Sequence, residues 1–288
     1  MKKGKKVMLT DLHMHSYYSD GTMSPREIVE DAKKRNVQLI AITDHNVLDS
    51  YTELKEAAEE FGIKVIRGVE IDARFEDIVV HILAYNFEDN ENLFNLIHKA
   101  KNELLETSIE LIKRMENDYE NISSEDYEAY DYDKRKGGWK GIHYLFDRGI
   151  TSELFEGVKY YGKYKCGHEY FDYPTVEEVV KAVHEANGYV VLAHPCNYYK
   201  NNTKEEVLEK LEKFKSIGID GVECYYPANS EMMTETCVEF CKNNDMIITV
   251  GSDSHGEFGA VSKGIEYYIG AVKKDSSELN LKERWANI

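Results

Sequence analysis

The sequence predicts an α/β fold, a barrel of parallel strands interrupted by a helical insertion, and three observations support this prediction. Short apolar or β-branched runs alternate with helical patterns near both ends of the chain, as βα units do. The stretch at 87–173 breaks that alternation. Six of the ten histidines are predicted to lie at or just past the carboxyl ends of strands, where βα barrels build their active sites.

The first part of the chain supplies four of the predicted strands, which cover residues 7–12, 39–43, 64–69 and 78–85. Between the first two, Ser24 is placed as an N-cap, Pro25 takes the first helical position and Glu27 completes a capping box. A helix is therefore expected to begin at Pro25 and to end near Arg35.

The same alternation returns in the last part of the chain. Helices are predicted at 175–186, 204–215 and 231–243, and strands at 189–193, 221–226 and 246–250. Seven strands with helices between them are typical of a parallel barrel. The barrel is expected to consist of residues 1–86 and 174–288, two pieces that are separate in the sequence.

Residues 87–173 are expected to form a helical cap inserted into the barrel sequence. A long helix is predicted at 92–116, because its apolar residues are spaced to form one buried stripe. These residues are Leu93, Leu96, Ile97, Leu104, Leu105, Ile109 and Ile112. The remainder of the segment is acidic and rich in tyrosine.

Composition excludes several classes of partner. The net charge of −17 repels long polyanions, so extended nucleic acid is not expected, whereas bound cations would still permit a small phosphorylated ligand. No apolar run is long enough for a membrane helix or a secretory signal, so a cytoplasmic location without membrane association is expected. No obligate protein partner is evident from the sequence.

Pairs of metal-binding residue types occur at the ends of predicted strands. His13 and His15 are two residues apart in an extended segment and therefore face the same way, and Asp253 and His255 repeat this spacing. Further candidates are His45, His81, His194, Asp20 and Glu70. Six imidazoles and three carboxylates exceed the needs of one ion, so the sequence predicts more than one metal.

Each of these residues has a simpler explanation when it is taken alone. A single His-x-His is more often a surface or core pair than a ligand pair, and His81 in an apolar strand is typical of a buried core histidine. Asp20 and Glu70 are equally compatible with helix caps. The recurrence of all nine at one predicted rim favours metal binding.

The ordered motifs of the chain resemble those of the PHP (polymerase and histidinol phosphatase) family over nearly the whole sequence outside the insertion. They are Asp11-Leu12-His13-Met14-His15-Ser16, Ser19-Asp20-Gly21, Ile42-Thr43-Asp44-His45, Gly68-Val69-Glu70, His81, Ala193-His194-Pro195 and Gly251-Ser252-Asp253-Ser254-His255. The resemblance implies a distorted (β/α)7 TIM-like barrel with a trinuclear metal centre that hydrolyses phosphoesters. It implies these ligands: His13, His15, Asp20, His45, Glu70, His81, His194, Asp253 and His255.

The implied chemistry uses three divalent ions, which the ligand set allows to be Mn, Fe or Zn. A hydroxide activated by the ions would attack phosphorus directly, so no serine or cysteine nucleophile is required. Asp11 and Asp44 stand beside ligand histidines and are candidate acceptors that fix the imidazole tautomers. A solvated or backbone-capping role for these two aspartates is an equally open alternative.

The insertion is expected to select the substrate. PHP phosphatases that act on nucleotides carry an Arg-Pro-His segment there to hold phosphate, whereas the comparable stretch of this chain reads Lys136-Gly137-Gly138-Trp139-Lys140. The basic candidates for phosphate contact are Arg135, Lys136, Lys140 and Arg148, and a solvated basic run is the alternative. Trp139 is a candidate to stack a base, with core packing as its alternative.

The function expected from this reasoning is hydrolysis of a small phosphomonoester by a metal-dependent phosphoesterase. The resemblance favours a nucleotide of the 3′,5′-bisphosphate type or the end of a short oligonucleotide. Histidinol phosphate is the alternative substrate. A metal-binding regulatory module without turnover is the alternative from a different class.

Overall fold

The computed structural model describes residues 8–281 and 285 and shows a mixed α/β architecture, which confirms the α/β part of the expected fold. The strands are β1 Leu9–Asp11, β2 Leu39–Ile40, β3 Lys64–Val65, β4 Gly68–Phe75, β5 Ile78–Tyr85, β6 Tyr189–Leu192, β7 Gly221–Tyr225, β8 Ile247–Val250, β9 Val261–Ser262, β10 Ile265–Glu266 and β11 Lys274–Asp275. The α-helices are α1 Pro25–Lys34, α2 Tyr51–Phe61, α3 Glu91–Met115, α4 Ser124–Ala129, α5 Lys140–Asp147, α6 Val158–Lys163, α7 Val176–Glu185, α8 Cys196–Tyr199, α9 Lys204–Ile217 and α10 Glu231–Asn243.

The described strands pair into separate sheets instead of one closed parallel barrel. One sheet has the order β11-β1-β2-β3, a second has the order β4-β5-β6-β7-β8, and β9 and β10 form a small hairpin. Pairing is parallel from β1 to β3 and from β6 to β8, but β5 is antiparallel to both β4 and β6. The expectation of an all-parallel barrel is therefore wrong at β5.

The antiparallel pairing of β4 and β5 follows from the length of their connection. Phe75 pairs with Ile78, so only Glu76 and Asp77 lie between the two strands. A two-residue turn can join antiparallel strands, whereas parallel neighbours need a crossover of a dozen residues or more. Glu76 adopts a φ of +52°, the left-handed conformation that tight hairpin turns use.

Isolated contacts join the two large sheets near the ends of their strands. The Leu12 amide donates to the Val250 carbonyl at 2.9 Å, next to a parallel bridge between Met14 and Ser254. A second parallel bridge joins His45 to Glu70. Sequence neighbours of the candidate ligands, and two of the candidates themselves, thus form the seam between the sheets.

Capping boxes fix the start of several helices. Ser24 and Glu27 form the reciprocal pair at α1, and the helix begins at Pro25 as the sequence predicts. Equivalent boxes start α7 at Thr175 and α9 at Thr203. Each cap contributes about 1 kcal/mol of helix stability and fixes where the preceding loop ends.

Helix α3 passes from the main core into a separate core within the insertion. Its first half buries Leu93 and Ile97 against the main sheet and α7, and its second half buries Ile112 in a cluster formed by residues of the insertion. Leu105 and Ile109 are 52% and 43% exposed, so the predicted single buried stripe is wrong at these two positions.

Two expectations concern the ends and surface of the chain. The first strand was predicted from Val7, which lies outside the described residues, and β1 begins at Leu9. Within residues 8–281, no helix combines the length and the apolar character that crossing a membrane requires.

Candidate metal centre

The nine candidate ligands converge on one edge of the two large sheets. His13 and His15 follow β1, His194 follows β6, and Asp253 follows β8. Backbone hydrogen bonds join the two segments that carry His13 and Asp253. The Asp253 amide donates to the His13 carbonyl at 2.8 Å, and the His15 amide donates to the Ser254 carbonyl at 2.8 Å. Alternate side chains of both segments therefore face the same space.

His81 reaches this edge from a different direction than the sequence predicts. It is the fourth residue of β5, not the end of a strand, and it pairs with Asp72 across the hairpin. Because β5 runs antiparallel to β6, its first half lies beside the carboxyl end of β6, where His194 follows.

Glu70 occupies the middle of the centre and is fully buried. Five imidazole nitrogens lie within 3.4 Å of its carboxylate oxygens. They belong to His13, His15, His45, His81 and His194. A single carboxylate thus links histidines from both sheets.

Two further carboxylates extend the cluster toward solvent. Asp253 Oδ1 lies 3.1 Å from His15 Nε2 and 3.4 Å from His13 Nε2. Asp20 Oδ2 lies 3.2 Å from His255 Nε2. Both carboxylates are less than one-fifth exposed, so they remain largely shielded from water.

The ligand atoms fall into three overlapping groups, each with its atoms within 4.8 Å of one another. The groups are His15, Asp20, His45 and His255; His13, His15, Glu70 and Asp253; and His45, Glu70 and His81. They share His15, His45 and Glu70, so neighbouring groups have ligands in common. His194 stands outside these groups and contacts Glu70 Oε1 at 3.1 Å.

Unpartnered buried atoms show that this donor set fits divalent cations. Glu70 Oε2, His15 Nδ1 and His194 Nδ1 are buried without a hydrogen-bond partner, although such groups are ordinarily satisfied. The Nε2 atoms of His13 and His15 face each other at 3.2 Å. Neutral imidazoles that both direct lone pairs into this gap would repel each other, and a cation between them removes the conflict.

The pKa values of the histidines report a strongly negative potential. Burial disfavours protonation of His15, yet its interactions with the carboxylates of Asp253 and Glu70 raise its pKa to about 10. Burial likewise opposes protonation of His81, and the charge of Glu70 raises its pKa to about 9. At His45 burial prevails and lowers the pKa to about 4. The potential that favours a proton at His15 and His81 also favours a metal cation.

Glu223 is a functional residue that the sequence analysis missed. Its buried carboxylate lies 3.0 Å from His13 Nδ1 and accepts a hydrogen bond from the His194 amide at 2.8 Å. A carboxylate at Nδ1 holds the proton there and leaves Nε2 of His13 free to coordinate a cation. The signal was available, because Glu223 is a lone charge in the apolar strand β7.

Asp72 is a second missed carboxylate. Its Oδ1 lies 3.3 Å from His81 Nε2, and its Oδ2 accepts a hydrogen bond from Asn46 Nδ2 at 2.7 Å. Asp72 follows Glu70 by two residues on β4, so the same-face rule that paired His13 with His15 also predicts this carboxylate.

The hydrogen bonds of Asp11 and Asp44 are those of the backbone-capping alternative. Asp11 accepts from the amides of Gly270 at 2.7 Å and Ser252 at 2.9 Å, and burial raises its pKa to about 6. Asp44 accepts from the amide and hydroxyl of Ser16, both at 2.8 Å. These bonds hold the segments that carry His15 and Asp253.

Two of the basic candidates for phosphate contact bind partners within the insertion. Arg148 donates to both oxygens of Asp126 at 2.6 and 2.8 Å, and Lys140 lies over the Tyr127 ring. These contacts are internal to the insertion, so the predicted phosphate contacts of Arg148 and Lys140 are not supported.

Arg135 and Lys136 precede a turn that contacts the backbone of the candidate ligand Asp20. Arg135 pairs with Glu27 of α1 at 2.7 Å. Lys136 is exposed and precedes the Gly137–Gly138 turn, whose Gly138 amide donates to the carbonyl of the candidate ligand Asp20 at 2.7 Å. A backbone contact thus links the segment of this basic pair to the metal centre.

Trp139 belongs to the packing of the insertion. Its Nε1 donates to the Tyr161 hydroxyl at 2.8 Å, and that hydroxyl also bonds Ser108 at 2.6 Å. The core-packing alternative for Trp139 thus describes its contacts.

Strained backbone marks two of the candidate ligands. His194 and Asp253 adopt φ values of +25° and +54°, a region that non-glycine residues rarely enter. Asp253 is also oriented by the Tyr226 hydroxyl, which donates to its Oδ2 at 3.1 Å. Such strain persists where surrounding contacts determine the backbone, and it concentrates at functional sites.

Comparisons with known proteins give a consistent assignment. The PHP domain family model matches residues 11–223. A 5′-3′ exoribonuclease from Haemophilus influenzae is 30% identical over 88% of this chain and 92% of its own. A phosphoribosyl 1,2-cyclic phosphate 1,2-diphosphodiesterase from Eggerthella lenta is 27% identical over 88% and 97%. A 3′,5′-nucleoside bisphosphate phosphatase from Chromobacterium violaceum is 26% identical over 86% and 88%.

A solved structure agrees with these relatives. A Bifidobacterium adolescentis protein assigned as a metal-dependent phosphoesterase superposes with a TM-score of 0.75 at 27% identity and covers 93% of both chains. The chain is accordingly a hydrolase of phosphate esters. With the family model spanning most of its length and the nine residues gathered at one edge of the sheets, the chain belongs to the PHP domain family.

Proposed function

We propose that this protein hydrolyses small phosphomonoesters of nucleotides, of the 3′,5′-bisphosphate type or at the end of a short oligonucleotide, at a centre that holds three divalent ions. The observation that carries the proposal is the set of three overlapping ligand groups around Glu70, whose Oε2 is buried without a hydrogen-bond partner. Three groups with shared members match three ions held close together.

The residues proposed to hold the ions are His13, His15, Asp20, His45, Glu70, His81, His194, Asp253 and His255. Bound divalent ions, with Mn, Fe and Zn all compatible with the donors, would polarise a phosphate ester and lower the pKa of water. Glu223 keeps the proton of His13 on Nδ1, and the Tyr226 hydroxyl orients Asp253. Preorganised donors of this kind need no rearrangement when a substrate arrives.

The names of the relatives favour a nucleotide substrate. Three of them act on an RNA end, a cyclic phosphoribosyl phosphate or a nucleoside bisphosphate, which share a phosphorylated ribose. Lys136, which is exposed, supplies positive charge for a second phosphate of such a substrate, whereas Arg135 is paired with Glu27. The net charge of −17 disfavours long nucleic acid and leaves small substrates admissible.

A substrate panel tests this proposal. Metal-loaded protein is incubated with a nucleoside 3′,5′-bisphosphate, a short 5′-phosphorylated oligoribonucleotide and histidinol phosphate, each with and without chelator, and released phosphate is measured. We expect turnover of the nucleotides that the chelator abolishes and that Asp253→Asn removes. Faster turnover of histidinol phosphate would establish the alternative substrate, and loaded protein inactive on every ester would establish the non-catalytic module.

A further inference from the structure

Two phenylalanine rings stack where the insertion meets the loop that carries His255. Phe155 of the insertion lies on Phe258, with ring centroids 4.8 Å apart and ring planes 22° from parallel. The Phe258 ring lies 6.4 Å from the imidazole of His255. Phe155 is nevertheless 54% exposed, so the stack that reaches His255 through Phe258 is partly open to solvent.

A glycine turn fixes Phe258 against the candidate ligands. Gly137 and Gly138 both have a φ of +69°, and a Cβ on Gly137 would lie 2.4 Å from Cβ of Phe258. The same turn donates from the Gly138 amide to the Asp20 carbonyl at 2.7 Å. The aromatic pair is therefore held in a set position relative to both Asp20 and His255.

We propose that Phe155 and Phe258 form a stacking platform for the base of a nucleotide whose phosphate lies at the metal centre. The inference rests on the proposed function and extends it by naming the residues that recognise the base. Aromatic side chains stack on bases of any sequence, because every base has a π face. In a nucleotide a single sugar separates the base from the phosphate. A base could therefore stack on the phenylalanine pair while its phosphate lies at the candidate ligands.

Other aromatic residues of the insertion are less suited to this role. Trp139 is tied to Tyr161 by its indole N–H, and Tyr132 stacks on His143 with centroids 4.5 Å apart. Phe146 on α5 is 42% exposed and has no ring contact among the described residues. It therefore offers a matched control, an exposed phenylalanine of the same insertion that is not stacked beside the centre.

The test compares a nucleotide with the same sugar phosphate lacking a base. For the metal-loaded enzyme, kcat/KM is measured with adenosine 5′-monophosphate and with ribose 5-phosphate, and their ratio is taken. We expect Phe155→Ala to lower this ratio by about fivefold to a hundredfold, the range measured for loss of one base–aromatic stack. Phe155→Trp retains the ratio, and Phe146→Ala leaves it at the wild-type value.

Binding provides a readout that does not depend on turnover. Calorimetric titration of metal-loaded wild type and Phe155→Ala with the same two compounds should show weaker binding of adenosine 5′-monophosphate to the variant. An unchanged ratio and unchanged binding would overturn the platform. So would a variant that loses self-association in sedimentation while keeping the ratio, since the exposed ring would then bind a second copy.

Failure of the platform differs from failure of the proposed function. Wild type that prefers adenosine 5′-monophosphate over ribose 5-phosphate, with Phe155→Ala unchanged, refutes the platform and keeps the nucleotide substrate. If the wild type binds and cleaves both compounds equally, the enzyme does not recognise the base. That result refutes both the platform and the nucleotide substrate, and it leaves the phosphoesterase activity unaffected.

Discussion

The metal centre and the insertion both carry many charged and aromatic side chains, but among the described residues only the centre gathers them into groups that could hold a cation. In the insertion Arg148 is paired with Asp126 and the Tyr161 hydroxyl bonds Ser108, although Thr151 Oγ1 is buried without a hydrogen-bond partner. In the centre Glu70 Oε2 and His15 Nδ1 are buried without any hydrogen-bond partner. Leaving such an atom unsatisfied costs about 1–3 kcal/mol.

Arg148 and Glu70 therefore differ in the capacity that each has left for a ligand. A closed pair contributes to stability and has no remaining capacity for a substrate. The charge of the buried Glu70 carboxylate favours a positive group beside it, either protons on the surrounding imidazoles or a metal cation. A charged side chain near the site is therefore a candidate to bind a ligand only if its polar atoms are not already paired within the protein.

The largest expected effect is at Glu70. Glu70→Gln replaces an anion by an amide of the same size that turns N–H groups toward imidazoles, so metal content and phosphate release should both fall. The fall in phosphate release should exceed the roughly 100-fold that is lost when a residue hydrogen-bonded to a metal ligand is replaced. Elemental analysis of metal-loaded protein and a phosphate-release assay measure both quantities.

The control for Glu70 is the same change in the turn of the same hairpin. Glu76 is exposed and pairs with Lys210 and Lys213, so Glu76→Gln should keep full metal content. If the Glu70→Gln protein bound metal like the wild type, Glu70 would not be needed for metal binding, and the contrast between the metal centre and the insertion would be wrong.

The second expected effect is the pH dependence of metal affinity. A metal needs neutral imidazoles, and in the metal-free protein the pKa values of His81 and His15 are raised to about 9 and about 10. Below about pH 9 binding must therefore release protons, and affinity should rise about tenfold per pH unit for each proton displaced. Competition with a chelator at several pH values measures this slope, and an affinity independent of pH over that range would contradict it.

The third expected effect is at Glu223, and it compares a residue that contacts a proposed ligand with the proposed ligand Glu70. Glu223→Gln weakens the hold on the proton at His13 Nδ1, so metal affinity or kcat/KM should fall by about 10- to 100-fold. Chelator competition and steady-state kinetics measure the loss, with thermal unfolding as the check that the fold is kept. A loss as large as that of Glu70→Gln would mean that Glu223 is itself a metal ligand.

The sequence predicts those features that depend on local spacing. The i, i+2 rule correctly places His13 beside His15, and the capping box at Ser24 correctly starts α1. The nine proposed ligands could be chosen because each is a histidine or carboxylate in or near a predicted strand. Whether all nine bind metal remains a prediction.

The missed features depend on contacts between distant segments. The turn at Glu76 and Asp77 contains no glycine or asparagine, so nothing local predicted that β5 would reverse direction. Glu223 contacts His13 across 210 residues of sequence, and Arg148 finds its partner at Asp126. Spacing reveals which residues can face one another on a strand, but it does not reveal which charges are already paired.

The smallest expected effect concerns Arg148, and it tests the other half of the comparison. Arg148→Met removes the pair with Asp126 and the contact with Tyr144, so the melting temperature should fall while kcat/KM for a nucleotide stays within about twofold of wild type, because such ion pairs act locally. Steady-state kinetics and thermal unfolding on the same preparation measure both. If KM instead rose tenfold with an unchanged melting temperature, Arg148 would contact substrate, and a closed ion pair would not exclude a residue from the site.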